Sequence, residues 1–262
     1  MYNIMVLGGG RAASRFIESL LFTKHNLAVC GFGVKNLSER LAMKYSLPFH
    51  SFSTLTSADV AKIDVVILAT PPADRLPIIK HLVYGLNFTG ALVIEKPLCI
   101  CLDELYQVVS LTSYFDKCAV VCQRDFAIEY YRFLTSDVCE YNIVWNTPFN
   151  EHYENVIHMF PHLASWILCL TTEKLTFHNG KRNHLVGYLG NVRLNVAFSS
   201  KTKDKGVYVN GCLYQPPNFR LINAKIIERI MLFTKEQSHD SIGRALKVSE
   251  MTIKLLNAHT NK

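Results

Sequence analysis

The first fourteen residues constrain the fold of this chain more than any other stretch. An apolar run at positions 4–7 is followed at once by three glycines and a helix-like segment. Gly8, Gly10 and Ala13 fit the pattern G-x-G-x-x-G/A, in which the first glycine allows a tight strand-to-helix turn and the second leaves room for a pyrophosphate. The third small residue lets the helix pack close to the strand, and the helix N-terminus offers free N–H groups to phosphate. The expected cofactor-binding residues of this turn are Gly8, Gly10, Arg11, Ala12 and Ala13.

The order of strand-like and helix-like segments predicts an α/β protein with two domains. Up to about residue 124 the two kinds of segment alternate, which is typical of a doubly wound parallel sheet with helices on both faces. Beyond that point the strand-like segments alternate in polarity, which favours a mainly antiparallel open sheet. These segments lie at 140–145, 175–178, 185–189, 192–199 and 207–214. A helix-like segment at 154–170 interrupts these strands, and two helices, roughly 223–237 and 240–258, end the chain. We therefore expect a dinucleotide-binding domain over 1–124 and an α+β domain for substrate binding and oligomerisation over 125–262.

Composition favours a packed protein that binds a small anionic molecule. The chain has 262 residues, of which 49% are hydrophobic and 19% charged, so disorder is not expected. Its formal charge is +7, but the basic residues form no long block or stripe of the kind that nucleic-acid binders carry. The densest cluster, at positions 201, 203 and 205, reads as a solvated hairpin tip. We expect no nucleic-acid partner.

The cysteines and the apolar segments predict neither a metal site nor a membrane span. Eight cysteines are present, but none form a CxxC pair at zinc-site spacing, so we expect buried free thiols in a reducing compartment. No stretch reaches the roughly 18 apolar residues of a spanning helix. The start of the chain has no charged region followed by a cleavage site. These features predict a cytoplasmic protein.

The end of the second predicted strand bears on the choice of cofactor. In NAD-preferring folds an acidic residue at this place holds the ribose 2′-hydroxyl. Here the strand ends in Phe-Gly-Val at 32–34, and Lys35 and Arg40 follow. A missing carboxylate beside cations favours a 2′-phosphate, so the prediction is NADP in preference to NAD. The alternative, that both are ordinary surface charges, stays open.

Two further segments follow strands of the same predicted sheet. Thr70 and Pro71 come directly after the third strand, and Glu95 and Lys96 end a later one before Pro97. Carboxyl ends of parallel strands share one edge of the sheet, so these residues are expected beside the cofactor. A lysine there can donate to a substrate oxygen and pass on a proton. The alternative is a surface lysine that forms an ion pair with Glu95.

These three motifs together resemble a known family. The sequences GGGRAA at 8–13, ATPP at 69–72 and VIEKPL at 93–98 are similar, in order and spacing, to the Gfo/Idh/MocA family of glucose–fructose oxidoreductase and inositol dehydrogenase relatives. The resemblance covers about the first 125 residues. It implies a Rossmann domain, an NAD(P) cofactor and a cis peptide between Lys96 and Pro97. It also implies an α/β domain whose open sheet carries the substrate site and forms a homodimer or homotetramer.

A second family motif, D-x-x-x-H on a helix, falls in the C-terminal half. His162 matches the family histidine, and His158 stands where the family has aspartate. The resemblance implies that His162 acts as general acid/base, that His158 orients or assists it, and that Lys96 polarises the substrate oxygen. A metal site at the two histidines would lack a third ligand, and simple packing of both in a helix–sheet interface remains an alternative.

Three other residues are candidate substrate ligands. Arg124 follows the last strand of the first domain, and Tyr153 precedes the histidine motif. Arg75 stands where many relatives have a histidine, and it could meet an anionic substrate group. A surface role for Arg75 stays open.

The resemblance implies hydride transfer between a nicotinamide and a carbon of a sugar, nucleotide sugar or cyclitol. Two alternatives remain. One is reduction of an imine or ketone in a biosynthetic pathway. The other is a non-catalytic dinucleotide-binding sensor or assembly protein, which the histidine at position 158 in place of aspartate suggests.

Overall fold

The computed structural model divides the chain into two compact units. One contains Met1–Gln123 together with Phe219–Lys262, and the other contains Arg124–Asn218. The structure describes residues 1–32, 36–121, 140–145, 160–162, 164–165, 168, 175–178, 184–189, 191–198, 206–209, 212–214 and 219–260.

A six-stranded parallel sheet forms the centre of the first unit. Its strands are β1 (Asn3–Leu7), β2 (Asn26–Gly31), β3 (Phe49–Ser51), β4 (Val65–Leu68), β5 (Ala91–Glu95) and β6 (Lys117–Val121). They lie in the order β3-β2-β1-β4-β5-β6, and every neighbouring pair is parallel. The four residues of β4 are fully buried, as expected for a strand covered on both faces. This arrangement confirms the doubly wound sheet, whose order reverses between β1 and β4, where such folds bind ligands.

Helices cover this sheet. They are α1 (Arg11–Leu20), α2 (Leu37–Lys44), α3 (Ser57–Val60), α4 (Arg75–Lys80), α5 (Leu102–Leu111), α6 (Phe219–Met231) and α7 (Lys235–Thr260). Shorter turns are the 3₁₀ segments Phe52–Thr54, Pro72–Asp74 and Thr112–Tyr114 and the π-helical segment His81–Gly85. The apolar spacing in α1 buries Phe16, Ile17 and Leu20 on one face, which fixes its packing side.

The two terminal helices belong to the first unit, whereas the sequence predicted them as part of the second domain. Helix α6 contacts α1 and β6, and α7 contacts β6 and α5. Ile226, Ile227 and Ile230 are at most 1% exposed, which accounts for the attachment of α6. The predicted domain of residues 125–262 therefore includes two helices that belong elsewhere. Helical periodicity shows that a helix buries one face, but it does not show against which sheet.

The boundary between these helices also differs from the expected one. The sequence predicted helices over 223–237 and 240–258, but α6 ends at Met231 and α7 begins at Lys235. The Gln237 N–H donates to Thr234 Oγ1 at 3.2 Å, and the Thr234 N–H donates to Gln237 Oε1 at 2.9 Å. This reciprocal pair is a capping box. The sequence carries the T-x-x-Q signature of this box at 234–237, which marks the start of α7.

The second unit contains a mixed sheet. Its strands are β7 (Glu140–Trp145), β8 (Leu175–His178), β9 (His184–Leu189), β10 (Val192–Phe198), β11 (Gly206–Val209) and β12 (Cys212–Tyr214). The order is β12-β11-β7-β10-β9-β8; β7 and β10 pair in parallel and the other neighbours antiparallel. The expected mainly antiparallel sheet is thus confirmed. The single strand predicted over 207–214 is instead a pair, in which Val207 lies opposite Tyr214.

Neither a membrane span nor a metal cluster is found in the described part of the chain. No helix there combines the length and the apolar character needed to cross a bilayer. Within the same residues, no group of three or more His, Cys, Asp or Glu side chains is placed to hold a metal ion.

Candidate functional site

Gly8 follows β1 directly and has a backbone conformation that favours glycine. Its φ is +129°, and a Cβ atom there would lie 2.7 Å from the Ala69 carbonyl oxygen. The Gly8 N–H donates to the Cys30 carbonyl at 3.0 Å, which ties the turn to the end of β2. The absence of a side chain therefore lets the turn pack against the neighbouring end of β4, as the glycine pattern predicted.

Gly9 has a role that the sequence pattern did not assign. A Cβ atom on Gly9 would lie 2.6 Å from the Leu37 carbonyl carbon and would also overlap the Ser38 nitrogen. Gly9 thus lets the first turn of α2 approach the glycine turn. Position 9 is variable in the G-x-G-x-x-G/A pattern, and its partner lies far along the chain, so the sequence carried no local signal for this contact.

Gly10 and the start of α1 leave an open place for an anion. Gly10 is the N-cap of α1, no side chain caps the helix, and its first turn has no acidic residue. Among the residues that the structure describes, no atom would lie within 4 Å of a Cβ atom on Gly10. The N–H groups of a first helical turn have no partner within the helix, and the helix dipole favours negative charge there. Ala13 is completely buried, in keeping with close packing of α1 on the sheet.

Thr70 contributes a buried hydroxyl beside this turn. The residue is 6% exposed, and its Oγ1 has no hydrogen-bond partner among the residues that the structure describes. Its backbone nitrogen lies 3.3 Å from the Cβ position of Gly8. An unpaired buried hydroxyl is costly, and a bound polar group would satisfy it. The open space at Gly10, the uncapped helix and this hydroxyl together fit a dinucleotide; Pro71, next in the same loop, is exposed.

The comparison with protein families agrees with this geometry. Residues 2–122 match the model of an oxidoreductase family with an NAD-binding Rossmann fold. This region belongs to the Gfo/Idh/MocA oxidoreductases. The resemblance inferred from the three motifs is thereby confirmed over the domain that contains them. No curated protein matches the chain by sequence.

Solved structures extend the likeness over both units. A dehydrogenase (MviM) from Clostridium difficile has a TM-score of 0.74 at 15% identity, with 98% of this chain and 99% of that chain covered. The WlbA dehydrogenase from Thermus thermophilus, in complex with NAD and α-ketoglutarate, has a TM-score of 0.69 at 13% identity, with 98% and 95% covered. UDP-N-acetylglucosamine 3-dehydrogenase from Acidithiobacillus ferrooxidans has a TM-score of 0.67 at 10% identity, with 100% of this chain and 99% of that chain covered. At these identities the likeness shows the fold alone.

The EKP motif of this Gfo/Idh/MocA domain places a buried lysine at the end of β5. The Lys96 side chain is 9% exposed and the Glu95 side chain 14%, and Lys96 Nζ lies 3.9 Å from Glu95 Oε1. Burial raises the pKa of Glu95, and the charges of Lys96, Arg75 and Arg15 oppose that rise. The peptide between Lys96 and Pro97 is cis, as the resemblance implied. The interpretation of Lys96 as a surface residue is wrong, although its ion pair with Glu95 is present.

The surroundings of Arg75 differ from both roles that the sequence suggested, a substrate ligand and a surface residue. It is 1% exposed, so it is not a surface residue. Its Nη2 and Nε donate to the Thr70 carbonyl at 2.9 and 3.3 Å, and Nη1 donates to the Leu98 carbonyl at 3.4 Å. These backbone contacts engage the guanidinium inside the first unit, which argues against a direct contact with a substrate anion. The burial of Arg75 depends on its tertiary contacts, so the sequence did not predict it.

The remaining predicted site residues are only partly described. Lys35, Arg124, Tyr153 and His158 lie outside the described residues, so their roles stay predictions. His162 is half-buried in a helical segment, within the helix that the sequence predicted. The homodimer or homotetramer expected through the C-terminal sheet and the cytoplasmic location likewise stay predictions.

Proposed function

We propose that this protein is an NAD(P)-dependent oxidoreductase that transfers hydride between a nicotinamide and a carbon of a sugar, nucleotide sugar or cyclitol. The observation that carries the proposal is the buried ammonium of Lys96 beside Glu95 at the carboxyl end of β5. This end lies on the same edge of the parallel sheet as the glycine turn after β1. A charged donor next to an open dinucleotide cradle is the combination that carbonyl–alcohol interconversion needs.

Each proposed role follows from the chemistry of the side chain. The bound nicotinamide supplies or accepts the hydride. The turn from Gly8 to Ala13 binds the pyrophosphate through backbone N–H groups. Lys96 donates a hydrogen bond to the substrate oxygen, polarises its bond to carbon and passes on a proton. His162 serves as general acid/base, with His158 orienting it.

The substrate class rests on the family and on the activities for which its structural relatives are named. One structural relative is a UDP-N-acetylglucosamine 3-dehydrogenase. The net charge of +7 is compatible with a phosphorylated substrate such as a nucleotide sugar. A screen of sugars, nucleotide sugars and cyclitols with both cofactors tests this part. Turnover only with imines or simple ketones would indicate a reductase of those groups. Cofactor binding without turnover of any substrate would indicate a non-catalytic sensor.

The first prediction concerns the cofactor. We expect NADPH to bind about tenfold more tightly than NADH, because Lys35 and Arg40 can pair with the 2′-phosphate. The double variant Lys35→Ala/Arg40→Ala should lose that preference and keep its NADH affinity. Isothermal titration calorimetry with NADPH and NADH measures both constants.

Lys44→Ala is the matched control for this experiment, since Lys44 lies on α2 with Arg40 and its side chain is 61% exposed. The ratio of NADPH affinity to NADH affinity in Lys44→Ala should equal that of the wild type. Equal or tighter binding of NADH by the wild type would contradict the NADP preference. Absence of binding by either cofactor would end the oxidoreductase proposal.

The second prediction concerns His162. Replacement of His162 by alanine should lower turnover by about 100-fold, the usual scale for a positioned acid/base group, and should leave NADH affinity within about twofold. The pH–rate profile should lose the limb that belongs to the imidazole. Steady-state rates and calorimetry on the same preparation measure both quantities. A variant with a wild-type rate and an unchanged profile would remove His162 from the mechanism.

A further inference from the structure

Arg75 joins two segments that end neighbouring strands of the first sheet. The loop at Thr70 follows β4, and the segment that contains Lys96 and Leu98 follows β5. The guanidinium of Arg75, from the first turn of α4, donates to the Thr70 and the Leu98 carbonyls. A guanidinium holds its five donors in one rigid plane, so it can fix two carbonyls at a set separation.

Both segments lie beside groups of the candidate site. Thr70 adjoins the glycine turn through its backbone nitrogen, and its hydroxyl is buried. Leu98 is completely buried, two residues beyond Lys96. A shift of either carbonyl would therefore move the cofactor loop relative to the lysine. Displacements of about 1 Å near a reacting centre are enough to lower activity strongly.

The charge of Arg75 also affects the ion pair between Glu95 and Lys96. Burial lowers the pKa of Arg75 to about 10, so the guanidinium stays protonated at neutral pH. Its positive charge opposes the rise that burial causes in the pKa of Glu95. Glu95 in turn forms the ion pair with the Lys96 ammonium. Removal of the guanidinium charge is thus expected to raise the pKa of Glu95 further.

We propose that Arg75 is a positioning residue that holds the Thr70 loop and the Leu98 segment together, so that the position of the Thr70 loop relative to Lys96 stays fixed. Its positive charge also opposes the rise that burial causes in the pKa of Glu95, the partner of Lys96. The inference rests on the proposed function for the cofactor and for the role of Lys96. It assigns Arg75 neither a contact with substrate nor a place on the surface.

Two variants separate the geometry from the charge. Arg75→Lys keeps the positive charge, but its single nitrogen cannot occupy the positions of both Nη1 and Nη2. Arg75→Met removes the charge and all donors. Ile78→Ala is the matched control, since Ile78 is completely buried on the same helix α4 and its truncation creates a cavity without removing a hydrogen bond to either carbonyl.

Two readouts test the proposal without a known substrate. The first is NADH affinity by calorimetry, and the second is the titration of the Glu95 carboxyl by carbon-13 NMR, assigned with Glu95→Gln. We expect Arg75→Lys to weaken NADH binding by about tenfold and to leave the Glu95 titration at its wild-type pH. Arg75→Met should weaken binding at least as much and move the titration to higher pH. Ile78→Ala should lower only the melting temperature.

The proposal is overturned if Arg75→Lys binds NADH like the wild type, or if Glu95 titrates at the wild-type pH in Arg75→Met. If Arg75→Met does not fold, the NADH affinity of Arg75→Lys decides the matter. The Glu95 titration uses protein without cofactor. If the wild type binds no nicotinamide, the proposed function fails, and the Glu95 titration of Arg75→Met still decides whether the buried guanidinium acts on this pair.

Discussion

Replacement of Lys96 by methionine is expected to lower turnover by at least about 100-fold and to leave NADH affinity within about threefold of the wild type. Methionine matches the apolar part of lysine but carries no ammonium, so it can neither polarise a substrate oxygen nor pass on a proton. Because the Lys96 side chain is 9% exposed, water cannot readily replace the lost donor. The effect should therefore appear in kcat and not in cofactor binding.

The change at Lys96 also has an electrostatic consequence. The Lys96 charge opposes the rise in the pKa of Glu95 that burial causes, so its loss should raise that pKa further. The acid limb of any residual pH–rate profile that depends on ionised Glu95 should move to higher pH. Initial rates from pH 5 to 10 on the substrate found by the screen would measure this shift.

Lys80→Met is the matched control for the lysine experiment. Lys80 lies in the last turn of α4, is exposed, and donates to Gln107 Oε1 at 3.0 Å. Its loss should leave kcat, NADH affinity and the pH profile unchanged. Turnover of Lys96→Met within twofold of the wild type would remove the lysine from the mechanism. Parallel loss of cofactor binding would instead mean that the lysine organises the cofactor site.

Replacement of Gly10 by valine is expected to abolish measurable cofactor binding, a loss of at least about 100-fold, in a protein that still folds. A Cβ atom on Gly10 would meet no atom of the described part of the chain within 4 Å, and the φ of −85° is open to any residue. The added side chain would then occupy the space where a pyrophosphate approaches the first turn of α1. Calorimetry with NADPH and NADH, together with thermal unfolding, measures both parts of the prediction.

Two other glycines provide controls with opposite expectations. Gly8→Ala should lower the free energy of unfolding by about 2 kcal/mol or more, because φ is +129° and the methyl would lie 2.7 Å from the Ala69 oxygen. Gly243→Val places a side chain in open space on α7, away from the turn, and should change binding little. Wild-type cofactor affinity in Gly10→Val would show that the pyrophosphate binds elsewhere.

Local motifs explain why the sequence predicted much of the first sheet and of the cofactor site. Gly8 and Gly10 act through backbone conformation and through the space of one missing side chain, both of which a short pattern can encode. The strand ends at Thr70 and Lys96 could be placed on one edge because all strands of such a sheet point the same way. For the second sheet, alternation of apolar residues located four of the six strands in outline and merged the last two into one.

Other features depend on partners that are distant in sequence. Gly9 is small because the first turn of α2 approaches it, and Arg75 is buried because α4 brings it between the ends of β4 and β5. A charged residue in a sequence favours the surface on average, so burial of Arg75 was not predictable from its type. The attachment of α6 and α7 to the first sheet was likewise hidden, because an amphipathic helix does not specify the surface it covers.

Local backbone requirements and the common direction of the strands encode the strand–turn–helix segment, the parallel sheet and the position of Lys96 at its edge. Which residues support that edge depends on contacts between segments that are distant in the chain. In the folded protein Arg75 is buried and donates hydrogen bonds to two backbone carbonyls. Gly9, which stands at a variable position of the glycine pattern, lets the first turn of α2 pack against the glycine turn. The physical reason is that burial and charge compensation arise from residues brought together by the fold, and no local pattern records them.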